Sequence, residues 1–159
     1  MTAIQDPFQG GQMAQFGHFV HSANRMHRQL WTLHISSEIT YTQFEVMTVI
    51  AANPAVDQNT VARLVLLDSS TTTDVVRRLI ERGYVERTRD TVDMRRKTLV
   101  LTTSGARKQG LLAHADQKLS ESLAACLTAV ERVDILRILQ RITTIGSTLR
   151  HGWSADLTE

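Results

Sequence analysis

The sequence is poor in the residues that cross-link a chain or bind a cofactor. Its 159 residues contain one cysteine, Cys126, so an internal disulfide framework and a multi-cysteine metal site are excluded. We find no glycine-rich phosphate loop, nucleophile elbow or metal-binding motif. We therefore expect neither an enzyme nor a bound metal or cofactor.

Long apolar runs are also absent. None approaches the roughly 20 residues that a transmembrane helix needs, so we expect no membrane span. The opening stretch, MTAIQDPFQGGQM, has neither the basic nor the apolar region of a secretory signal, which favours a cytoplasmic protein. Pro7, Gly10 and Gly11 indicate that residues 1–11 form a flexible N-terminus.

Net charge is small but unevenly distributed. The chain carries +2 overall, whereas residues 57–108 hold 11 Lys/Arg against 7 Asp/Glu. The remainder holds 7 Lys/Arg and 9 Asp/Glu, so a basic middle lies between mildly acidic flanks. This distribution indicates a polyanionic partner for the middle of the chain.

Hydrophobic periodicity predicts a mainly α-helical fold with a small β-hairpin. Apolar residues recur at helical spacing over residues 13–34, 42–52, 58–66, 69–82, 104–127 and 129–149. After Gly83, which favours a helix end, YVERTR and KTLVLTT have the composition of strands, with the turn-like DTVDMRR between them. ANPAVD is predicted to be a loop. This order is a winged helix-turn-helix flanked by long terminal helices.

Polar residues at the predicted helix starts supply acceptors for free backbone amides. The expected N-caps are Thr42, Asp57, and Thr103 or Ser104. Thr128 and Glu131 have the spacing of a capping box that opens the last helix.

Five consecutive hydroxyl residues, SSTTT at 69–73, open the second helix of the helix-turn-helix. They are mediocre helix formers, but they let a helix approach the DNA major groove and hydrogen-bond phosphates or base edges. The inward face is predicted to be Val75, Val76, Leu79 and Ile80. DNA contacts are predicted for Ser69, Ser70, Thr71, Thr73, Asp74, Arg77 and Arg78, with Arg77 placed for bidentate contact with guanine. The alternative is a capped helix start with solvated arginines.

Residues 39–105 resemble the multiple antibiotic resistance regulator (MarR) family of bacterial transcription factors. The most specific part, RTRDTVDMRRKTLVLTTSG, is similar to the family's Asp-x-Arg wing tip followed by Leu-Thr-x-x-Gly. These motifs fall on Asp93, Arg95, Leu101, Thr102 and Gly105. The flanking helices agree with the family in order and length.

The resemblance implies a homodimer, usually a repressor, with two lobes that bind a palindromic operator in double-stranded DNA. It places Arg95 in the minor groove, braced by Asp93, and a narrow minor groove does attract guanidinium groups. Additional phosphate contacts are predicted for Arg87, Arg89, Arg96 and Lys97. Three positions depart from the family: Leu66 replaces a common turn glycine, Met94 replaces an arginine, and Asp74 replaces a basic or neutral residue.

The outer segments supply the predicted dimer contacts. Residues 12–38 and 106–159 are assigned to dimerisation, on either side of the DNA-binding region 39–105. Their apolar residues exceed what one helical hairpin can bury, which favours an intertwined dimer. These residues include Phe16, Phe19, Val133, Ile135, Leu136, Ile138, Leu139, Ile142 and Ile145. The alternatives are a monomer that buries them internally and a dimerisation module that binds no DNA.

The first helix carries four of the six histidines. MarR-family members commonly bind small anionic or phenolic compounds between the dimer region and the winged lobe, and then release DNA. Because a His/Arg cluster favours a carboxylate, the hypothesis is an aromatic carboxylate effector. Its candidate ligands are His18, His21, Arg25 and Arg28 on one stripe, and His27 and His34 within the apolar face. The alternatives are a solvated stripe, hydrogen-bonded core histidines, and a zinc-responsive regulator of the same fold.

Overall fold

The structure, a computed structural model, describes residues 12–89 and 97–149. The elements run in the order α1 (Gln12–His34), α2 (Tyr41–Ala52), β1 (Val56–Asp57), α3 (Gln58–Leu64), α4 (Ser69–Glu81), β2 (Val85–Arg89), β3 (Lys97–Leu101), α5 (Thr103–Ala124) and α6 (Ala129–Leu149). The predicted mainly helical, winged helix-turn-helix fold is confirmed. The N-terminal residues 1–11, the predicted wing tip and the last ten residues lie outside the described ranges.

The strands form one antiparallel sheet in the order β1-β3-β2. The hairpin pairs Val85 with Leu101 at its base, and Val56 of β1 pairs with Leu99 on the other edge of β3. The prediction that ANPAVD is entirely a loop was wrong at its end. Two residues are too few to show strand alternation, and pairing with β3 determines the strand instead.

The core joins the end of α1 to the winged lobe. Trp31 is fully buried, and its indole Nε1 donates a 2.6 Å hydrogen bond to the carbonyl oxygen of Ile39. Its ring packs against Phe44 and Tyr41, with centroids 4.8 and 5.1 Å apart. The inward face of α4 is as predicted: Val76 and Leu79 are fully buried, and Val75 and Ile80 pack against the same core.

Two predicted caps are confirmed. The Asp57 carboxylate accepts from the backbone amide of Thr60 at 3.0 Å. Thr128 and Glu131 form the reciprocal capping box, in which the Thr128 amide donates to the Glu131 carboxylate at 2.8 Å. These side chains satisfy amides that the first helical turn leaves unpaired.

Two other caps were predicted one or two residues too late. Helix α2 is capped by Thr40, whose hydroxyl accepts from the Gln43 amide, while Thr42 is buried inside the helix. Helix α5 is capped by Thr102, not by Thr103 or Ser104. Neighbouring hydroxyl residues have similar preferences for the N-cap position, so the sequence does not identify which of them caps the helix. The backbone conformation at the point where the chain enters the helix decides. Helix α5 also ends at Ala124, short of the predicted residue 127.

Leu66 lies in the turn between α3 and α4 with φ of 57°. This is the left-handed conformation that glycine adopts without cost and that costs other residues roughly 1–2 kcal/mol. The turn therefore keeps the backbone geometry expected for a glycine, although leucine occupies the position.

The outer helices leave much apolar surface uncovered. No residue of α6 is buried, and Val133 and Leu136 are 67% and 61% exposed. On α1, Phe19 and Leu33 are 61% and 74% exposed. Among the described residues, none of the helices combines the length and hydrophobicity needed to cross a membrane.

Candidate nucleic-acid interface

Helix α4 begins at a carboxylate that organises the hydroxyl run. Asp68 is the N-cap and accepts from the Thr71 amide at 2.7 Å and from the hydroxyls of Ser70 and Thr71 at 2.6 Å each. The Ser70 hydroxyl, then the Thr71 hydroxyl and amide, hold the pKa of Asp68 well below its usual range. The side chain is thus a fixed anion at the helix start, where the helix dipole favours negative charge.

The outer face of α4 is the one predicted. The exposed residues include all the predicted contact residues of this helix, Ser69, Ser70, Thr71, Thr73, Asp74, Arg77 and Arg78. Thr72 differs from the other hydroxyl residues because it is fully buried and donates to the Asp68 carbonyl oxygen at 2.8 Å. The hydroxyl run therefore divides between an exposed face and the core.

Arg77 is paired with acids on its own helix. Its guanidinium donates to Glu81 Oε1 at 2.9 Å and contacts Asp74 Oδ1 at 3.4 Å. The hydrogen bond to Glu81, then that to Asp74, raises the pKa of Arg77. All three side chains are exposed, so these pairs can exchange for other partners at little cost. Glu81 was not predicted, although its spacing of four residues from Arg77 is a visible signal.

The β2 strand of the wing is connected to α4 by hydrogen bonds through Gln58 of α3. Arg87 on β2 donates to Gln58 Oε1 at 3.1 Å, and Gln58 Nε2 donates to Thr73 Oγ1 at 2.8 Å. Gln58 was not predicted, because contacts 15 and 29 residues apart leave no local pattern. Lys97, at the start of β3, is exposed as expected.

Several predicted wing contacts fall outside what the structure describes. Asp93, Arg95 and Arg96 lie in the segment 90–96 beyond the described ranges, as does Met94. Arg89 ends β2, but its side chain is not described. Their roles stay predictions.

The predicted effector residues of α1 do not gather in one place. Arg25 and Arg28 line an open concavity of about 590 Å³ together with Gln29, Thr32 and Leu33. His21 is hydrogen-bonded to Arg25 at 2.7 Å, and His18 contacts Ser22 at 3.4 Å. His34 is exposed and lines a different concavity, between α1 and α5, which excludes the core alternative for this residue.

His27 points towards α5. Its Nε2 lies 3.6 Å from Asp116 Oδ1, a separation too long for a hydrogen bond, so the contact is electrostatic. Its ring also packs edge-on against Tyr41, with centroids 4.5 Å apart. His27 is therefore part of the packing between α1, α2 and α5.

A partly buried acidic cluster surrounds this contact. Asp116 Oδ1 is inaccessible and has no hydrogen-bond partner among the described residues, and burial raises the pKa of Asp116. Burial also raises the pKa of Glu45, and burial together with the charges of Asp116 and Glu45 raises the pKa of Tyr41 to about 12. Arg28 links α1 to the same region by donating to Thr42 Oγ1 at 3.0 Å. Sequence reasoning missed Tyr41, Glu45 and Asp116.

Within residues 12–89 and 97–149, no three His, Cys, Asp or Glu side chains converge in a way that could hold a metal ion. The zinc-responsive alternative therefore gains no support from the described geometry. Cys126 is exposed, and its thiol lies 3.4 Å from the Leu123 carbonyl oxygen.

The helix pair α3–α4 with the adjoining hairpin defines the class of the protein, a winged helix-turn-helix. The MarR family model matches residues 39–97. The HTH-type transcriptional regulator SarZ of Staphylococcus haemolyticus is 37% identical over 81 residues, 50% of this chain and 55% of SarZ. The match thus spans about half the length of that relative.

Solved structures agree over a greater length. PcaV, a transcriptional regulator from Streptomyces coelicolor in complex with its natural ligand, is 31% identical, with a TM-score of 0.77. The match covers 91% of this chain and 98% of PcaV. A mutant of Escherichia coli MarR complexed with operator DNA is 26% identical, with a TM-score of 0.76, and the match covers 87% of this chain and 99% of MarR. The chain belongs to the MarR family of transcriptional regulators. These relatives are regulators, not enzymes.

Proposed function

We propose that the protein is a transcriptional regulator that binds a palindromic operator as a homodimer and represses the promoter there. The observation that carries the proposal is the exposed outer face of α4, which presents hydroxyl groups with Arg77 and Arg78 and is connected through Gln58 to Arg87 of the wing. Hydroxyl and guanidinium groups are the side chains that bind phosphates and base edges. Such a regulator would act where the chromosome is, which we infer to be the cytoplasm.

The DNA-binding proposal is tested by selecting duplexes from a randomised library with the full chain and measuring affinity for the enriched sequence. Replacing both Arg77 and Arg95 with alanine should weaken binding at least tenfold, since each base contact contributes about 1–3 kcal/mol. The control is Arg137→Ala, because Arg137 is an exposed arginine on the polar side of α6 with a similar aspartate pair, at 3.0 Å. Unchanged affinity in the double variant, or no enriched sequence, would reject the proposal.

The dimer proposal rests on the apolar surface of α1 and α6. A 21-residue helix with no buried residue gains little stability by itself, and large exposed apolar patches mark interaction sites. We assign α1, the end of α5 and α6 to the subunit interface, consistent with the division at residues 38 and 106. Light scattering should give twice the 17.8 kDa chain mass at micromolar concentration.

A matched pair of variants tests the interface. Leu136→Glu places a charge on the exposed apolar face of α6 and should shift the protein towards monomer. Arg141→Glu, on the exposed polar side of the same helix, should not. A monomeric wild-type chain would contradict the proposal. So would a Leu136→Glu protein that remains fully dimeric.

We further propose an aromatic carboxylate effector at the concavity lined by Arg25 and Arg28. Two guanidinium groups beside the apolar side chain of Leu33 suit a ligand with one anionic group and one apolar ring. The Arg28 contact with Thr42 gives a route from this site to α2 of the winged lobe. His27 and His34 face elsewhere and are not part of this site.

The effector proposal is tested by titrating benzoate and salicylate against the protein–DNA complex. The acids should release DNA from the wild type and much less from the variant with Arg25 and His21 both replaced by alanine. Equal release from both proteins would remove these residues from the site. Release by zinc ions, abolished by a chelator, would favour the zinc-responsive alternative instead.

A further inference from the structure

The amide of Gln58 bridges three elements of the proposed DNA-binding face. Its Oε1 accepts from the Arg87 guanidinium of β2 at 3.1 Å, and its Nε2 donates to the Thr73 hydroxyl of α4 at 2.8 Å. A guanidinium can only donate hydrogen bonds. Arg87 therefore fixes which end of the Gln58 amide is the oxygen, and so directs the NH₂ group towards Thr73.

This orientation determines whether the Thr73 hydroxyl can donate or accept one more hydrogen bond. The hydroxyl donates its one proton to the Ser69 carbonyl oxygen at 2.8 Å and accepts from Gln58. A hydroxyl has one donor and two acceptor sites, so one acceptor site remains. Thr73 is exposed on the outer face of α4 and can only accept a hydrogen bond there.

A hydrogen-bond acceptor in the major groove can distinguish one base from another by the groups that they present there. Phosphate oxygens, guanine O6 and N7, and thymine O4 are themselves acceptors and cannot bond to it. The donors in the major groove are the N6 amine of adenine and the N4 amine of cytosine.

We propose that Gln58 is a positioning residue that, with Arg87, makes Thr73 an acceptor specific for an exocyclic amine of adenine or cytosine in the operator. This inference rests on the proposed DNA-binding function and deepens it. Arg87 has a double role, because the guanidinium that orients Gln58 retains other N–H groups for a phosphate.

The experiment uses the full chain and the duplex that it selects from a randomised library. Each adenine in one half-site is replaced in turn by purine, and each cytosine by 2-pyrimidinone, which lack the amine. At one position the loss of the amine should weaken wild-type binding about 2- to 12-fold, the range for one hydrogen bond. The same analogue should not further weaken binding by Thr73→Val, which lacks the hydroxyl.

Gln58→Leu tests the positioning role. It should lose the preference for the amine and keep a steep dependence of affinity on salt, because the phosphate contacts remain. The matched control is Gln109→Leu, since Gln109 makes a similar 3.2 Å hydrogen bond to Thr48, outside this cluster. The control should keep the amine preference. Circular dichroism confirms that each variant is folded.

The outcomes separate this inference from the broader proposal. If no sequence is enriched and no salt-dependent binding occurs, both fail. If a duplex is selected but no amine substitution matters, or Thr73→Val responds to it as the wild type does, only the role of Thr73 is rejected. If Gln58→Leu keeps the full amine preference, the positioning role of Gln58 is rejected.

Discussion

Replacing Gly105 with alanine should destabilise the protein strongly, because α5 starts in direct contact with the turn that follows α4. A Cβ on residue 105 would lie 1.9 Å from the Tyr84 carbonyl oxygen and 2.8 Å from its carbonyl carbon. Non-bonded heavy atoms pack at about 3.5–4.0 Å, so the backbone must shift by more than about 1 Å. Backbone atoms, unlike the end of a side chain, cannot move aside by changing rotamer.

The same turn is held by hydrogen bonds that such a shift would strain. The Thr102 amide donates to the Tyr84 carbonyl oxygen at 3.1 Å, and the hydroxyls of Thr102 and Ser104 donate to the Gly83 carbonyl oxygen at 2.7 and 2.9 Å. Overpacking costs about 1–3 kcal/mol and a lost hydrogen bond about 0.5–1.5 kcal/mol, so we expect a loss of about 2–4 kcal/mol in the free energy of unfolding.

The assay is urea unfolding followed by circular dichroism at one fixed protein concentration, because dimerisation makes stability depend on concentration. Gly110→Ala on the same helix is the control, since a Cβ on residue 110 would have no neighbouring atom within 4 Å. The control should gain up to about 1 kcal/mol from the better helix propensity of alanine. A Gly105→Ala protein as stable as the wild type would refute the close approach of α5 to this turn.

Three further results are expected. Trp31→Phe leaves the buried carbonyl oxygen of Ile39 without its donor and should lower the free energy of unfolding by about 1–3 kcal/mol; an unchanged urea midpoint would contradict this. Glu81→Gln frees Arg77 and removes a negative charge from the DNA face, so DNA affinity measured by fluorescence anisotropy should rise rather than stay constant or fall. Because the pKa of Tyr41 is raised to about 12 in the folded state, against about 10 unfolded, stability should decline between those pH values, and Tyr41→Phe should lessen the decline; an identical alkaline decline in both proteins would exclude this origin.

Local patterns were enough to predict α4. Its hydroxyl start, its helical spacing and the glycine at position 83 identify a helix with one apolar and one polar face, and the structure places both faces as expected. Thr72 could also be assigned to the core from its spacing of four and seven residues to Val76 and Leu79. Because Thr72 lies in a run of hydroxyl residues whose other members are exposed, that signal is easily overlooked.

The contacts that position the site could not be predicted in this way. The hydrogen-bond partners of Gln58 lie 15 and 29 residues away in the sequence, and Asp116 on α5 faces His27 on α1. A periodic pattern reports the face on which a residue lies, and it carries no information about which residue of another element faces it. The histidines of α1 illustrate this limit of periodic patterns. Their spacing along one helix suggested a single cluster, but the packing of α2 and α5 against α1 places them in different environments.

The most direct test of the account is the dependence of affinity for the selected duplex on salt concentration, since phosphate neutralisation by α4 and the wing underlies the proposed DNA-binding function. The logarithm of Kd should rise linearly with the logarithm of salt concentration. Each phosphate contact should add about 0.9 to the slope. Arg78→Ala removes one exposed charge from each subunit, so in the dimer it should lower the slope by about 2. A flat salt response of the wild-type protein would contradict the account.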